Sequence, residues 1–311
     1  MTELTALATE LCTPWGAPGS PPKLVVNREN AVFDVRLETG ERAALRLHRA
    51  GYQTADSILS ELRWTERLAS AGFPCPVPLR TQEGELLVQR DGAPIASLIR
   101  WIDAVPIADL NDEEGPDPEL YHTVGALIGT LHNKTDQIEL TGISRPAWSR
   151  ETLLGERPAW GRFWENPALS NSQKDLLIKT RHAADDALKE MAAPDIGLIH
   201  ADLLQENILQ GDGGLWLIDF DDAGVGNRLY DLGTALIQHI YDARYDGFVD
   251  ALLSGYEDSR GVTVKAGDLK LFVLLRGLAS CGWIISRAAH DDPIHRVYAD
   301  RAVKLSMDFQ S

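Results

Sequence analysis

The segment 198–231 limits the possible fold and chemistry of this chain most, because it contains four polar residues at spacings that are rare in ordinary loops. It reads His-x-Asp-x₄-Asn from His200 through Asp202 to Asn207. Asp219 follows twelve residues later and closes a short apolar run. A base, an amide and a carboxylate in this order are the minimum parts for moving a phosphoryl group from Mg-ATP to a hydroxyl.

Residues 208–218 form a strand–turn–strand pattern, with a glycine-rich turn between two apolar runs. Glycines supply the positive φ angles that such turns need. A hairpin returns the chain to its starting point, so we expect Asp219 to lie beside Asp202 and Asn207. The alternative is that these are ordinary loop residues, since Asp and Asn favour turns.

The chemistry of phosphoryl transfer assigns these residues different roles. Asn207 and Asp219 offer the oxygen ligands that Mg²⁺ prefers. Asp202 is expected to stay off the metal, to orient the acceptor hydroxyl and to take its proton. We expect His200 to hold the loop together rather than to do chemistry.

With these motifs the chain resembles the aminoglycoside phosphotransferase-like family, whose members have a protein-kinase-like fold. The resemblance implies an α+β, two-lobed fold with ATP and Mg²⁺ as cofactors. A β-rich nucleotide-binding lobe is expected over 1–102. A mainly helical catalytic and acceptor-binding lobe is expected over 103–311. Two rivals stay open: a protein Ser/Thr kinase of the same fold, and a nucleotide-binding module without catalysis.

The element pattern agrees with two lobes. Strands are expected in 24–47, a helix over 55–70, and strands at 86–89 and 97–102. After residue 106 the pattern is mainly helical. The expected helices there are 119–132, 173–191 and 266–288.

The first lobe departs from protein kinases at two positions. Where their strand lysine touches the α- and β-phosphates, this chain has Arg46, and Glu61 on the predicted helix is its expected partner. No G-x-G-x-x-G occurs near the start. Instead Asn30 stands in a turn, 27–31, that resembles the Glu-Asn turn of small-molecule kinases. The alternatives are a solvated strand arginine and a plain hairpin turn.

The adenine base is expected between the lobes, against an extended hinge segment, 99–103, at Trp101 and Ile102. An extended hinge presents backbone N–H and C=O groups to the base edge, while apolar side chains cover its faces.

Two polar residues of the second lobe are expected to have structural roles. His132 stands at the end of a predicted helix and is expected to be structural, and Asp231 is expected to anchor a loop or cap a helix.

Composition limits the partners. The chain has 311 residues and a net charge of −16, which disfavours nucleic acid and anionic membranes as partners. Three scattered cysteines and an N-terminus without a signal pattern indicate a reducing cytoplasm. The apolar stretch 271–285 is interrupted by Arg276 and is short for a membrane span. The oligomeric state is not readable from the sequence.

The acceptor is expected to be a small hydroxyl compound that also carries an amine. Two acids, Glu206 and Asp222, and the tryptophans Trp148, Trp160 and Trp164 motivate this, because carboxylates and indole faces attract cations. The alternative is that the tryptophans pack the helical lobe and the acids keep it soluble. Trp216 is expected in the hairpin core.

Overall fold

The computed structural model describes residues 3–27, 30–110 and 115–310. The predicted turn residues Arg28 and Glu29 lie outside this description. Two compact units divide the chain. The first unit comprises Met1–Val105, Gln137–Arg145 and Leu209–Asp221, and the second comprises Pro106–Asp136, Pro146–Ile208 and Asp222–Ser311.

The helices and strands are numbered in chain order over the described residues. Helices α1 to α9 are Glu3–Cys12, Ala55–Ser70, Leu120–Gln137, Arg150–Leu154, Asn171–Glu190, Leu229–Leu236, Tyr245–Arg260, Ala266–Trp283 and Ile294–Gln310. Strands β1 to β12 are Lys23–Asn27, Asn30–Arg36, Arg42–His48, Pro78–Leu79, Leu87–Val88, Ala96–Arg100, Val105–Pro106, Ala147–Trp148, Ile196–Ile199, Ile208–Gly211, Gly214–Leu217 and Gly224–Asn227.

A six-stranded antiparallel sheet forms the body of the first unit. Its strand order is β1-β2-β3-β6-β4, and β5 pairs with β6. One face packs Phe33, Val35, Leu45 and Leu98 into a core with Leu11 of α1. The chain returns to this unit at the β10–β11 hairpin, whose Leu217 N–H donates to the carbonyl of Pro74 at 3.1 Å. The predicted strands at 86–89 and 97–102 are shorter than expected.

Helix α2 spans the predicted residues 55–70. Thr54 caps it by accepting a hydrogen bond from the Ser57 N–H at 3.2 Å. Its buried side carries Ile58 and Leu62, and also a carboxylate, Glu61. A buried acid on an otherwise apolar helix face needs a charged partner, and β3 supplies one.

The second unit is mainly helical. Helix α8 packs against α6 and α9, and it passes so close to α6 that a Cβ on Gly233 would meet the backbone of Phe272 at 2.6 Å. Over the described residues, Ala266–Ser286 is long and apolar enough to cross a membrane, and 78% of its window is buried inside the fold. The helical run is thus longer than the apolar stretch in the sequence indicates.

A small sheet in the second unit precedes the polar loop. Strand β12 pairs with β9 in antiparallel fashion, with Gly224 opposite Ile199, and with β8 in parallel. Strand β9 ends at Ile199, so the backbone enters the loop of residues 200–207 directly from a paired strand. Together, the sheet of the first unit and the helices of the second confirm the α+β class.

Candidate active site

Arg46 and Glu61 form a buried ion pair in the first unit. Arg46 lies in β3 opposite Val32 of β2, and its Nη1 donates to Glu61 Oε1 at 2.6 Å. The two residues are 6% and 3% exposed. The predicted partnership between strand arginine and helix carboxylate is therefore present in the structure. Whether the arginine contacts phosphates stays a prediction.

A second carboxylate, Asp221, occupies the other arm of the Arg46 guanidinium. Arg46 Nη2 donates to Asp221 Oδ1, and Asn30 Nδ2 donates to Asp221 Oδ2 at 2.5 Å. The Asp221 carbonyl accepts from Gln53 Nε2 at 2.7 Å and from the Arg145 guanidinium. Asp221 thus bonds both first-unit donors that were predicted to meet the nucleotide phosphates.

The three buried charges shift one another. Burial would lower the pKa of Arg46, but Asp221 and Glu61 raise it well above its ordinary value. Burial raises the pKa of Glu61 to about 7, although Arg46 opposes the rise. Burial would also raise the pKa of Asp221, but Arg46 outweighs it and holds the pKa low. Asp221 is therefore the carboxylate that stays ionised beside Arg46.

Asp219 occupies a backbone conformation that few residues adopt. Its φ is +63°, in the left-handed region, and the side chain is exposed. Such a conformation in a residue other than glycine is common at ligand sites. The expected meeting of Asp219 with Asn207 and Asp202 stays a prediction.

In the second unit, the Asp202 carboxylate is fixed at both oxygens. Asp202 Oδ1 accepts from Arg276 Nη2 at 2.7 Å, and Oδ2 accepts from Asn207 Nδ2 at 3.0 Å. Asn207 Nδ2 also donates to the Asp202 carbonyl at 2.8 Å. Because the amide nitrogen of Asn207 makes both bonds, its amide oxygen is the atom that could bind a metal.

Asp231 anchors the loop that carries Asp202. Its two carboxylate oxygens accept from the N–H groups of His200 and Ala201 at 2.9 and 2.7 Å. His132 bonds the same carboxylate through Nε2 at 3.0 Å. Burial lowers the pKa of His132, so the neutral ring donates this bond. The predicted structural roles of His132 and Asp231 agree with these contacts.

The same loop contains a second positive φ, +67° at Ala201. His200 is fully buried, and its Nδ1 accepts from the Asp202 N–H at 3.3 Å. The Asp231 carboxylate holds this tight turn by accepting from two consecutive backbone amides, and the His200 side chain fixes the backbone of Asp202. His200 therefore contacts the backbone of the proposed base.

Arg276, like Asp221, is a residue of this site to which the sequence assigned no role. It lies in α8, is 4% exposed, and its guanidinium stands over the Trp160 ring at 4.8 Å. Burial would lower its pKa, but Asp202 raises it. A signal for Arg276 was present in the sequence, because an arginine interrupts an otherwise apolar helix, and such a charge needs a partner.

The tryptophans need a corrected interpretation. One face of Trp160 is covered by Arg276, and one face of Trp164 by Arg181 at 4.5 Å. Trp148 stacks on Tyr230 with ring centroids 5.3 Å apart. The chain's own side chains therefore cover one face of each of these rings, which favours the packing interpretation of the tryptophans over a ligand amine at those faces.

Of the two candidate acids of the acceptor side, Glu206 is bonded through its carboxylate and Asp222 through its backbone. Glu206 accepts from Gln238 Nε2 at 3.0 and 3.1 Å. The backbone carbonyl of Asp222 accepts from Trp148 Nε1 at 2.9 Å. These bonds hold the two residues in place. The hydrogen-bond partner of the Glu206 carboxylate in the described chain is the neutral amide of Gln238, so these bonds do not neutralise its charge.

The predicted hinge residues line a cavity of about 280 Å³ within the first unit. Trp101 and Ile102 meet Cys75, Val77 and Trp216 there. The Arg42 guanidinium covers the Trp101 ring at 4.1 Å. Trp216 was expected in the hairpin core, but it is only half-buried and faces this cavity. Strand alternation explains this, since its neighbours Leu215 and Leu217 are the buried pair.

A family model described as the phosphotransferase enzyme family matches residues 24–265. The chain belongs to this family. Homoserine kinase from Pseudomonas aeruginosa (strain UCBPP-PA14) is 31% identical to this phosphotransferase over 249 residues, which are 76% of this chain and 70% of the relative. The predicted enzyme class, an ATP-dependent phosphotransferase with an alcohol acceptor, is confirmed by this membership.

Solved structures agree on the fold. A microcompartment-associated aminopropanol kinase superposes with a TM-score of 0.79 at 26% identity, covering 97% of this chain and 94% of the other. The amicoumacin kinase hAmiN, solved with AMP-PNP and Ca²⁺, superposes with a TM-score of 0.78 at 17% identity over 99% and 94%. The protein-kinase-like fold predicted for this phosphotransferase is confirmed.

Proposed function

We propose that this phosphotransferase moves the γ-phosphate of Mg-ATP to the hydroxyl of a small, amine-bearing molecule, with Asp202 as the base. The observation that carries the proposal is the carboxylate of Asp202, held at one oxygen by Arg276 and at the other by Asn207. A base that is fixed before the substrate arrives costs no reorganisation in the transition state.

The proposed step balances without further reagents. The acceptor O–H bond breaks as its oxygen bonds to the γ-phosphorus, and the bond from that phosphorus to the β,γ-bridging oxygen breaks. Asp202 takes the proton, and ADP leaves. Since the charge of the transition state is spread over phosphoryl oxygens, positioning and electrostatics carry most of the catalysis.

Arg46 is proposed to steady the α- and β-phosphates, with Glu61 holding it in place. Its guanidinium fork suits two phosphate oxygens. Asn30 is proposed to contribute at the phosphate end, and Trp101 with Ile102 at the base. The buried pair of Arg46 and Glu61 supports the first assignment.

Asn207 and Asp219 are proposed to hold Mg²⁺. Their fit rests on chemistry: Asn207 turns its amide nitrogen to Asp202, which leaves an amide oxygen, and Asp219 is an exposed carboxylate. Mg²⁺ typically takes few protein oxygens and completes its shell with phosphates and water. When bound, the ion neutralises phosphate charge.

The amine on the acceptor is proposed from two lines of support. Relatives are named for homoserine and for aminopropanol, compounds that carry both a hydroxyl and an amine. The Glu206 carboxylate, held by Gln238, supplies a negative charge in the unit that contains the proposed base. Cytoplasmic location, and the lack of nucleic-acid or membrane partners, stay predictions from charge and cysteine usage.

A substrate panel tests the proposal. Amino alcohols, sugars, aminoglycosides and hydroxy amino acids are each mixed with Mg-ATP, and ADP formation is compared with the rate without acceptor. We expect turnover with amine-bearing alcohols, and its loss in Asp202→Asn. Turnover of neutral sugars alone would contradict the amine, whereas equal turnover in Asp202→Asn would remove Asp202 from the chemistry.

A further inference from the structure

Arg145 joins the residues that follow Asp219 to the first turn of α2. Its Nη1 donates to the Ser57 carbonyl at 2.8 Å and to Ser57 Oγ at 2.9 Å. Its Nη2 donates to the Phe220 carbonyl at 3.3 Å and to the Asp221 carbonyl. All of these residues belong to the first unit, and Arg145 is 9% exposed. One buried guanidinium therefore bonds four acceptors on two separate stretches of the chain.

These contacts close a ring of hydrogen bonds at the Asp221 carbonyl. Ser57 Oγ, which accepts from Arg145, donates to Gln53 Oε1 at 2.5 Å. Gln53 Nε2 in turn donates at 2.7 Å to the Asp221 carbonyl, where the Arg145 guanidinium also donates. Both lone pairs of this carbonyl are thus engaged. Because hydrogen bonds in a buried network strengthen one another, the ring restricts this stretch of backbone more than isolated bonds would.

The backbone that carries Arg145 is itself attached to α2. The Ser144 N–H donates to Ser60 Oγ at 3.1 Å, and Arg63 Nη1 donates to the Gly142 carbonyl at 3.1 Å. Ser60 and Arg63 both lie in α2, so the segment that ends at Arg145 is fixed on this helix. The arginine side chain therefore starts from a defined position, and less entropy is lost when its guanidinium is placed.

Helix α2 also holds the side chain of Phe220. The rings of Phe220 and Trp64 meet edge to face with centroids 5.3 Å apart, and the two residues are 1% and 0% exposed. Phe220 is thus connected to α2 twice, by its ring and by the bond of its carbonyl to Arg145. The residue directly before it, Asp219, has the left-handed φ of +63°. Such a conformation persists where the surrounding contacts impose it.

We infer that Arg145 is a positioning residue for Asp219, the carboxylate proposed to bind Mg²⁺. Arg145 fixes the carbonyls of the two residues that follow Asp219, and it thereby holds the backbone in the conformation that presents this carboxylate. Arg145 acts through the backbone and does not itself bind nucleotide or metal. The inference rests on the proposed function, because it assigns the support of a metal ligand named there.

The gain in ATP affinity that Mg²⁺ provides is the quantity that tests this inference. Calorimetric titration gives the Kd of ATP with EDTA and the Kd with excess Mg²⁺, and neither measurement needs an acceptor. In Arg145→Gln, the ratio of the two Kd values should fall by about 10-fold, the scale expected when the backbone of one further residue must be ordered on binding. The metal-free Kd should not weaken, because Arg46 keeps its bond to Glu61.

Three further variants complete the experiment, and thermal unfolding without ligand reports whether each is folded. Arg145→Lys keeps the charge but lacks the planar fork, so it should recover part of the ratio. Arg63→Gln removes an arginine of α2 that bonds the Gly142 carbonyl outside the ring, and it should leave the ratio at the wild-type value.

Gln53→Met decides the question if Arg145→Gln does not fold. It keeps Arg145 but removes the second donor to the Asp221 carbonyl. The ratio should therefore fall by about 3-fold, the net effect of one hydrogen bond. An unchanged ratio in a folded Gln53→Met would show that the ring does not position the metal ligand, and it would overturn the inference.

A lower unfolding temperature in Arg145→Gln with an unchanged Mg²⁺ ratio would make Arg145 a purely structural cross-link and overturn the inference. An equal loss of the ratio in Arg63→Gln would also overturn it, because any disturbance of this segment would then suffice. If Mg²⁺ gave the wild-type protein no gain in ATP affinity, the metal assignment of the proposed function would fail, and this inference with it. An intact Mg²⁺ gain without turnover of any hydroxyl compound would count against the proposed function alone.

Discussion

Substitution of Asp221 by Asn should tighten the binding of metal-free ATP. In the described structure, both donors assigned to the phosphates, Arg46 and Asn30, are bonded to the Asp221 carboxylate. A phosphate that binds Arg46 must therefore displace this carboxylate or share the guanidinium with it. Asn keeps an oxygen that accepts a hydrogen bond but removes the competing charge.

The magnitude follows from the burial of the pair. The side chains of Arg46 and Asp221 are 8% and 9% exposed, so water screens them little. Two unit charges with centres about 4 Å apart interact by roughly 4 kcal/mol at an effective dielectric constant of about 20. A neutral amide acceptor keeps roughly half of a charge-assisted bond. The phosphate therefore gains about 1.4–2.8 kcal/mol, or 10- to 100-fold in Kd.

Calorimetric titration with ATP in the presence of EDTA measures this change. Excluding the metal matters, because any role of Asp221 near Mg²⁺ would otherwise act in the opposite direction. Glu66→Gln is the control: Glu66 lies in α2, as Glu61 does, but it pairs with Arg80 at 2.7 Å, and neither residue is assigned to the nucleotide. Its Kd should equal that of the wild type.

Weaker or unchanged metal-free binding in Asp221→Asn would refute the competition. In that case Asp221 positions Arg46 for the phosphates and does not contend with them. Thermal unfolding of the variant separates this result from simple loss of structure, because Glu61 still pairs with Arg46 in a folded variant.

Four further predictions concern the same site. Asp202→Asn should leave ATP binding intact and reduce turnover by roughly 10²–10⁴, the usual effect of a lost general base; steady-state kinetics measure it. Asp219→Ala should abolish the Mg-dependent thermal stabilisation by ATP, whereas Asp222→Ala should keep it. If Asp222→Ala abolished the stabilisation and Asp219→Ala kept it, the metal ligand would have been assigned to the wrong aspartate. Arg46→Ala should raise the KM for ATP, and Arg46→Lys should recover part of the loss, because only arginine offers a planar fork. Burial raises the pKa of Glu61 to about 7, and the ionised carboxylate holds Arg46 more firmly than the neutral acid, so metal-free ATP binding should strengthen as pH rises from 6 to 8 more in the wild type than in Glu61→Gln; parallel curves would contradict this.

Local signals explain what the sequence predicted well. Helix α2 begins after Thr54, which caps it, and Gly72 follows its end with a φ of +81°. The β10–β11 hairpin likewise turns at glycines, with Gly214 at a φ of +106°. In each case the residues that define the element are neighbours in the chain, so a pattern of a few positions is sufficient.

Two partners in the site, Asp221 and Arg276, could not be predicted from the sequence, because each bonds a residue that is far away along the chain. Arg46 and Asp221 are 175 residues apart, and Asp202 and Arg276 are 74 apart. Asp221 and Asp222 are indistinguishable by residue type and spacing. Only the path of the backbone after Asp219 decides which of them turns its carboxylate to Arg46, and no local pattern records that path.

The partnership of Asp202 with Arg276 also changes how the base must be tested. Removing one member of a buried ion pair leaves an uncompensated charge and typically costs about 3–5 kcal/mol. Asp202→Ala would therefore lose stability and chemistry together, and its inactivity would not identify a base. Asp202→Asn keeps one oxygen for the Arg276 guanidinium, although its NH2 group then replaces the oxygen that accepts from Asn207 Nδ2. A loss of turnover in a variant that unfolds at nearly the wild-type temperature can then be assigned to the missing proton acceptor.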